Sequence, residues 1–347
     1  MKRSSSILAL LLSGVLTLGL FGCGKKPSSD VPNTDETKKE STLNIVATSE
    51  DYKPLFEKFT KETGTKVEFL SMSSGEVISK VKAENGKPMA DVWFGGGIDA
   101  FMQAKDDNLL EKCEFEGSND LSPEFKDEDN YWFSKGLTVV GFIVNNDVLK
   151  EKNLPEPKSW KDLTNPVYKD EILMSNPAIS GTNYAVLNSL IQTLGEEAGW
   201  KYFEELNKNI PYYSKRGKDP NVKTVAGEVA IGITYIDKSL ENLEKEKNAK
   251  LIYPEDGMPW VPEGVAVFKN AKNPEAAKEF MTWVFKDENL KEIAKIDNKD
   301  TVKIIKPNLQ GVELTFPKDK LLKQDISLFG KQRKEMLEKW SALVGDK

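Results

Sequence analysis

Histidine is absent from the 347 residues of the chain, and cysteine occurs only twice. Without an imidazole, the sequence cannot supply a Ser-His-Asp triad, a Cys-His pair or a histidine-rich zinc site. Cys23 and Cys113 lie far apart, so no Cys-x-x-Cys redox motif, thiolate metal cluster or disulfide framework can be written. Most familiar hydrolase designs are therefore excluded, and neither a cofactor nor a resident metal is predicted.

A basic segment is also missing. The 49 lysines and arginines are outnumbered by 55 aspartates and glutamates, which gives a net charge of −6. Nucleic acid is therefore a poor partner for this protein. The hydrophobic fraction of 39% and the charged fraction of 30% are typical of a soluble globular protein. A chain of this length is expected to form about two domains.

The amino terminus has the pattern of an export signal. Lys2 and Arg3 precede an apolar run from Ile7 to Leu20, which is too short for a comfortable membrane span. The segment LFGC, ending at Cys23, resembles the lipobox of bacterial lipoproteins, whose peptidase cuts before a cysteine that carries a diacylglycerol. We expect a lipoprotein signal peptide over residues 1–22 and anchoring on the extracytoplasmic face of the cell membrane. The alternative is an ordinary secretory signal with a cysteine near its cleavage site.

The segment that follows is predicted to be a tether. Residues 24–41 contain one large aliphatic residue, Val31, among Lys, Pro, Ser, Asp, Thr and Glu. Such a segment cannot bury enough apolar surface to offset its ordering entropy. Residues 23–41 are therefore predicted to be a lipidated cysteine and a flexible tether with a reach of roughly 25 Å.

From Thr42 onward, predicted strands and helices alternate. The strands are expected at 43–47, 66–71, 91–94, 137–144, 171–174, 229–235 and 264–269. Helical apolar spacing occurs around 52–59, 77–81, 98–105, 187–194, 200–206, 274–284 and 325–344. The charge-rich stretch 238–250 is interpreted as a solvated helix face. This alternation favours parallel sheets covered on both faces by helices.

Polar residues and glycines directly follow several predicted strands. Ligands of open α/β sheets bind at this edge, where the N–H groups of helix starts, Ser/Thr hydroxyls and glycines favour an anionic group. The candidate binding residues are Thr48, Ser49, Ser74, Gly75, Gly96, Gly97, Ser180, Gly181, Thr182 and Tyr235. The alternative for each serine or threonine is helix capping, and Ser73-x-x-Glu76 fits a capping box. The glycine triplet lacks G-x-G-x-x-G spacing and no phosphate-binding G-x-x-x-x-G-K-[ST] motif occurs, so nucleotide hydrolysis is not predicted.

Two carboxylates are candidates for a different task. Asp237 and Glu263 are expected to accept hydrogen bonds from ligand hydroxyls or an ammonium group. The alternative for both is exposure on a loop. Five aromatic residues are further candidates for lining a pocket, and core packing is the alternative for each of them. They are Tyr212, Tyr213, Tyr235, Trp93 and Trp260.

Taken together, five stretches resemble the extracytoplasmic solute-binding proteins of ABC importers. These stretches are FTKETGTKVEFLSMSSGEVISKVKAE (59–84), ADVWFGG (90–96), SNPAISGTNYAVL (175–187), GEVAIGITY (227–235) and VPEGVAVFKNAKNPEAAKEFMTWVF (261–285). The resemblance implies an α/β protein with the two-lobed type II periplasmic-binding-protein fold. Each lobe would be a mainly parallel sheet flanked by helices, with the ligand cleft between the lobes. We assign residues 42–140 plus 265–347 to the first lobe and 141–264 to the second.

Within that fold the sequence looks most like the branch that binds ferric iron, sugar phosphates and phosphonates. Iron binders of this branch place adjacent tyrosines after the strand that here reads GEVAIGITY, whereas this chain has Tyr235-Ile236-Asp237. The candidate positions Ser74-Gly75, Ser180 to Thr182, Asp237 and Glu263 match those that hold the ligand in organophosphate-binding relatives. The resemblance therefore implies a small anionic solute, phosphorylated or phosphonylated, with ferric iron as the alternative.

The resemblance also implies a protein that binds without catalysing a reaction. Lobe closure over the solute would be followed by delivery to an ABC permease served by its ATPase, from a monomeric, membrane-anchored protein. Two alternatives belong to other classes. One is a secreted two-lobed enzyme that uses Asp237 and Glu263 as acid and base, and the other is a sensor module. Cys113 is assigned no role.

Overall fold

The computed structural model describes residues 41–347, except 241, 242, 244–246 and 316. The predicted signal peptide, Cys23 and the tether up to residue 40 lie outside the described residues, as does part of the stretch 238–250. Among the helices that are described, none combines the length and apolar character needed to cross a membrane.

The strands form one mixed sheet. Their bounds are β1 Thr42–Ala47, β2 Lys66–Ser71, β3 Val92–Gly97, β4 Leu110–Glu111, β5 Phe133–Asn145, β6 Ile172–Ser175, β7 Tyr213–Ser214, β8 Ile231–Tyr235, β9 Ala249–Ile252 and β10 Trp260–Phe268. The spatial order is β2-β1-β3-β10-β5-β8-β6-β7, with β4 paired to β10 and β9 paired to β5. We call β2-β1-β3 the first half-sheet and β8-β6-β7 the second half-sheet.

Twelve α-helices are described around this sheet. They are α1 Lys53–Thr63, α2 Ser74–Ala83, α3 Ile98–Asp106, α4 Asn146–Glu151, α5 Gly181–Leu194, α6 Glu196–Asn209, α7 Asp219–Val225, α8 Pro274–Val284, α9 Asp287–Ile296, α10 Val302–Ile305, α11 Ser327–Lys331 and α12 Arg333–Val344. As predicted, α1 ends at Gly64, which adopts the left-handed conformation with φ of 81° that glycine permits at a helix end. The single helix predicted over 325–344 is instead two helices that meet at Gln332.

Two long strands join the half-sheets. β5 pairs antiparallel with β10 through Phe133–Val139 and then antiparallel with β8 through Val140–Val144. Every residue of β5 is buried. β10 pairs in turn with β3 of the first half-sheet. The parallel pairs that the sequence predicts lie within the half-sheets, and the antiparallel pairs arise where β5 and β10 cross between them.

Hydrophobic cores cover both faces of the sheet. One core packs Phe56 and Phe59 of α1 and Phe280 of α8 against one face of the first half-sheet. A second core begins with Trp93 and Phe101 on its other face and continues through the second half-sheet. Burial of this much apolar surface is the main force that holds the strand ends, and hence the loops that follow them, in fixed positions.

The carboxyl-terminal helix packs on the second half of the molecule. The Trp340 ring of α12 lies at 5.8 Å from Phe203 of α6 and at 5.0 Å from Tyr213 of β7. Arg333 at the start of α12 pairs with Asp99 of α3 at 2.8 Å. The last helix, assigned to the first lobe by sequence, thus contacts both halves, and the exact lobe boundaries stay a prediction.

Candidate functional site

A polar cavity of about 270 Å³ opens where the strand ends of the two half-sheets face each other. Eleven of the twelve ligand-binding residues predicted from sequence line it, namely Thr48, Ser49, Ser74, Gly96, Gly97, Ser180, Gly181, Thr182, Tyr235, Asp237 and Glu263. The fold therefore brings together loops that are more than two hundred residues apart in the chain, such as those of Thr48 and Glu263. Ligand binding by these residues stays a prediction.

Gly75 is the predicted residue that does not line the cavity. Its N–H group donates a 3.1 Å hydrogen bond to the carbonyl oxygen of Ile179, which belongs to the loop before α5. A β-carbon at this position would overlap the Ala178 carbonyl oxygen and lie 2.9 Å from the Ile179 α-carbon. Gly75 is thus used for close approach between the start of α2 and this loop, and its N–H group already has an acceptor.

The starts of two helices face the cavity with unpaired donors. Within an α-helix the first N–H groups have no internal acceptor. Among the described residues no acceptor meets the N–H groups of Gly181 and Thr182 at the start of α5. Likewise, the structure shows no hydrogen bond for the hydroxyls of Thr48, Ser74 and Thr182 within its described part. Ser73 caps α2 in a capping box, in which the Ser73 N–H donates to the Glu76 carboxylate at 2.8 Å, while the Ser74 hydroxyl remains available.

Two cationic side chains that were not predicted from the sequence line this end of the cavity. Arg216 and Lys218 line the cavity from the loop between β7 and α7. In the part of the chain that is described, neither side chain forms an ion pair with a carboxylate. The sequence signal was Lys215-Arg-Gly-Lys218, three cations around a glycine. The sequence analysis assigned no role to this segment, because nothing local shows which strand ends it faces.

A buried charge cluster forms the floor of the cavity at the crossing strands. The register of β10 shifts at Glu263 against both β3 and β5, and such a bulge re-aims a side chain. The Glu263 carboxylate accepts hydrogen bonds from Lys135 at 2.5 Å and Lys299 at 2.9 Å, and also from the Thr138 hydroxyl. Lys135, which has no exposed surface, also donates to Asp297 at 2.7 Å.

The charge cluster alters the protonation of its members. Burial alone would raise the pKa of the Glu263 carboxyl, but the ammonium groups of Lys135 and Lys299 outweigh it and hold that pKa well below its usual range. Burial alone would lower the pKa of Lys135, whereas Asp297 and Glu263 raise it. Glu263 and Lys135 are therefore both charged at neutral pH. Both Glu263 oxygens already accept hydrogen bonds from protein donors. Little of its capacity is therefore left for the predicted hydrogen bonds from ligand hydroxyls.

Asp237 and Tyr235 form another wall of the cavity. One Asp237 oxygen accepts hydrogen bonds from the backbone N–H groups of Ser239, at 2.7 Å, and Leu240, at 3.3 Å. For its second oxygen the described residues provide no donor. Asp237 and Glu263 are each only 8% exposed, so exposure on a loop explains neither. Burial, and then the Asp237 charge, raise the pKa of Tyr235 well above its usual value.

The remaining aromatic candidates belong to the core or the surface. Trp93 is buried in a stack with Phe101 at 4.0 Å, and Tyr213 packs on Trp340. Trp260 donates from its indole nitrogen to the Leu322 carbonyl at 2.8 Å. Tyr212 is 39% exposed. The cavity instead includes Tyr52, a tyrosine that the sequence analysis assigned to a helix face.

Metal-ligand chemistry is poorly represented around the cavity. Within the described ranges, no group of three or more Cys, Asp and Glu side chains is arranged to hold a metal ion. The two tyrosines that line the cavity have pKa values raised, in the first place by burial, so their phenolate forms are disfavoured. Cys113 is a buried free thiol whose pKa burial raises to about 11.

Comparison with known proteins identifies the family. The model of the family described as "Bacterial extracellular solute-binding protein" matches residues 54–302. An uncharacterized protein of Haemophilus influenzae is 31% identical over 293 residues, which cover 81% of this chain and 84% of that protein.

Solved structures agree with this assignment. The periplasmic binding protein AfuA from Actinobacillus pleuropneumoniae, with exogenous fructose 6-phosphate bound, is 26% identical, with a TM-score of 0.81 over 89% of this chain and 100% of AfuA. Iron-bound HitA from Pseudomonas aeruginosa is 20% identical, with a TM-score of 0.74 over 87% of this chain and 99% of HitA, a likeness that shows the fold alone. The chain therefore belongs to the bacterial extracellular solute-binding proteins and has their two-lobed type II periplasmic-binding-protein fold.

Proposed function

We propose that this protein captures a small phosphorylated or phosphonylated organic solute in the cavity and delivers it to the permease of an ABC importer. The observation that carries the proposal is the group of unpaired donors at the α2 and α5 starts, joined by Arg216 and Lys218. A phosphoryl group presents several acceptor oxygens and negative charge, which helix N–H groups and a guanidinium recognise together. The likeness to AfuA, whose structure contains fructose 6-phosphate, supports the same class of ligand.

The wall around Tyr235 is proposed to bind the rest of the solute. The free Asp237 oxygen accepts a hydrogen bond from a hydroxyl or ammonium group of the ligand. Glu263 acts differently, because it fixes Lys299 and Lys135 in place at the floor of the cavity. The cavity volume of about 270 Å³ equals about nine water volumes at roughly 30 Å³ each, so it accommodates an organic phosphate larger than phosphate itself.

Closure of the two lobes is proposed to trap the solute. β5 and β10 cross between the half-sheets and form the hinge, with the lobes divided as 42–140 plus 265–347 and 141–264. A ligand shifts the equilibrium toward the closed form only through contacts that exist in that form. The donors on α2 and α5 come from opposite lobes, so a bound anion that contacts both provides such a difference.

The protein is proposed to act as a lipid-anchored monomer outside the cytoplasm. Cys23 would carry the diacylglycerol, and residues 24–41 would link it to the folded part. Members of this family are binding proteins, and we propose that the solute leaves the cavity chemically unchanged.

Native mass spectrometry of the full-length protein, purified without refolding, tests the proposal. We expect a mass increment that matches an organic phosphate or phosphonate. Calorimetry then compares fructose 6-phosphate, 2-aminoethylphosphonate, inorganic phosphate and spermidine. Binding of spermidine in preference to all three phosphorus compounds, or no binding of any of the three, would contradict it. Recovery of a hydrolysed ester after incubation would favour an enzyme instead.

A further inference from the structure

The loop of residues 215–218 is held against the start of α5. A β-carbon at Gly217 would lie 2.8 Å from the Thr182 hydroxyl oxygen, so glycine is what allows this approach. The backbone of Arg216 is fixed on both sides, because its N–H donates to Asp219 at 2.9 Å and its carbonyl oxygen accepts from Ser175 at 2.6 Å. The direction of the Arg216 side chain is therefore set by a rigid loop.

The Arg216 side chain reaches across the cavity. Its Nη1 donates to the Ser71 hydroxyl at 3.1 Å, and its Nη2 lies 3.4 Å from the Ser71 carbonyl oxygen. Ser71 ends β2 in the first half-sheet, whereas Arg216 follows β7 in the second. A guanidinium has five N–H donors, so three remain beyond those that point to Ser71. In the described residues no carboxylate pairs with this guanidinium, although Arg216 lines the cavity.

Electrostatics makes this arrangement dependent on an anion. The starts of α2 and α5 present partial positive charge to the same part of the cavity that Arg216 and Lys218 line. Like charges brought together in a partly buried space repel one another, which opposes closure of the empty cavity. An anion in the cavity attracts each of these groups, and these attractions oppose their mutual repulsion.

We propose that Arg216 both binds the anionic group of the solute and latches the two half-sheets together through Ser71. The solute's charge then determines whether the cavity stays closed, and the latch slows its escape. This inference rests on the proposed function, since it requires an anionic ligand. It adds a cross-cavity contact that involves Ser71, a residue that does not itself line the cavity.

Ser71→Ala separates the latch from the ligand contacts, because every group that lines the cavity stays in place. The probe is radiolabelled inorganic phosphate bound to the full-length protein, and the measurement is its dissociation after an unlabelled chase. We expect dissociation about tenfold faster, as for loss of a hydrogen bond to a charged group, with the association rate unchanged. Ser71→Thr restores the hydroxyl and should return the rate to within about twofold of the original. Ser341→Ala on the exposed face of α12 is the matched control, with no expected change.

Arg216→Lys completes the experiment, because lysine keeps the charge but lacks the planar fork. The Ser71→Ala change should have no further effect on dissociation in the Arg216→Lys protein. Dissociation from Ser71→Ala at the original rate, or effects of the two substitutions that simply multiply, would overturn the latch. Failure of the unsubstituted protein to bind phosphate or fructose 6-phosphate is a different result, since it rejects the proposed function on which the latch rests.

Discussion

Lys135 Nζ lies 2.7 Å from Asp297 Oδ2 and 2.5 Å from Glu263 Oε2, and the Lys135 side chain has no exposed surface. The three residues come from β5, β10 and the end of α9, so one ammonium group ties both crossing strands to a helix. A charge buried in this way is tolerated because its partners are charged and close. This relationship predicts how the crossing strands respond to substitution.

Lys135→Met should destabilise the folded protein by about 3–5 kcal/mol, because it leaves the Glu263 and Asp297 carboxylates buried with fewer cationic partners. The free energy of unfolding is measured by urea denaturation followed by circular dichroism. Lys53→Met removes an exposed ammonium paired with Glu57 at 3.9 Å and should change that free energy by less than about 0.5 kcal/mol. Equal effects of the two substitutions would show that the charge cluster does not stabilise the fold.

Acid should weaken the fold partly through Glu263. Because its folded pKa is lowered, the stability it contributes is complete well above the pKa of an unfolded glutamate, about 4.3, and is lost as pH falls below that value. The free energy of unfolding should therefore fall with decreasing pH below that point. In Glu263→Gln the slope should be shallower by up to about 1.4 kcal/mol per pH unit. Glu57→Gln, on an exposed helix face, should keep the original slope.

Replacing Ser74 and Thr182 together by alanine should weaken binding of fructose 6-phosphate at least tenfold, since each hydroxyl would lose a hydrogen bond to a charged group. The melting temperature should stay nearly unchanged, because neither hydroxyl bonds to another described residue. Calorimetry and thermal denaturation measure the two quantities. Thr282→Ala, on the exposed side of α8, is the control. Unaltered affinity in the double variant would reject the assignment of these hydroxyls to the ligand.

Ferric citrate should produce no visible charge-transfer band with this protein. Burial raises the pKa values of Tyr52 and Tyr235, so phenolate ligands are costly to form, and the nearby carboxylate Glu263 is already paired with lysines. Visible absorption during a titration measures the effect. A band that appears with the original protein and disappears in Tyr235→Phe would establish iron binding at this cavity.

Cys23→Ser should release the protein from the membrane fraction, because the substitution removes the thiol that carries the proposed diacylglycerol. Fractionation followed by immunoblotting measures the distribution. Cys113→Ser is the matched control and should stay with the membrane, since Cys113 is a buried thiol within the fold. Membrane retention of the Cys23→Ser protein would favour an uncleaved hydrophobic anchor instead.

Several strands and helices could be predicted from the spacing of their apolar residues. The predicted strand at 66–71 has the bounds of β2, and the strand predicted over 137–144 is contained in the longer β5. Short strands such as β4 and β7 have two residues each, so only their pairing partners define them. The break between α11 and α12 was also missed, because Gly330 lies inside α11 and neither glycine nor proline stands at Gln332 itself.

The charged residues of the cavity were much harder to predict. Lys135 lies within an otherwise apolar strand, and its partners Glu263 and Asp297 are 128 and 162 positions away. A lysine in isolation is normally interpreted as solvent-exposed. Arg216 presents the same difficulty, since Ser71 is 145 positions away. Glycines and hydroxyl residues after strands could be found because the topology of α/β sheets places them at one edge.

The contact between Gly75 and the loop at Ala178 and Ile179 leaves no room for even one extra methyl group. A side chain at position 75 would push the start of α2 away from the loop before α5 by about its own thickness, whichever solute is present. If the two lobes close as proposed, a single added carbon atom at Gly75 should therefore hold the protein in its open form.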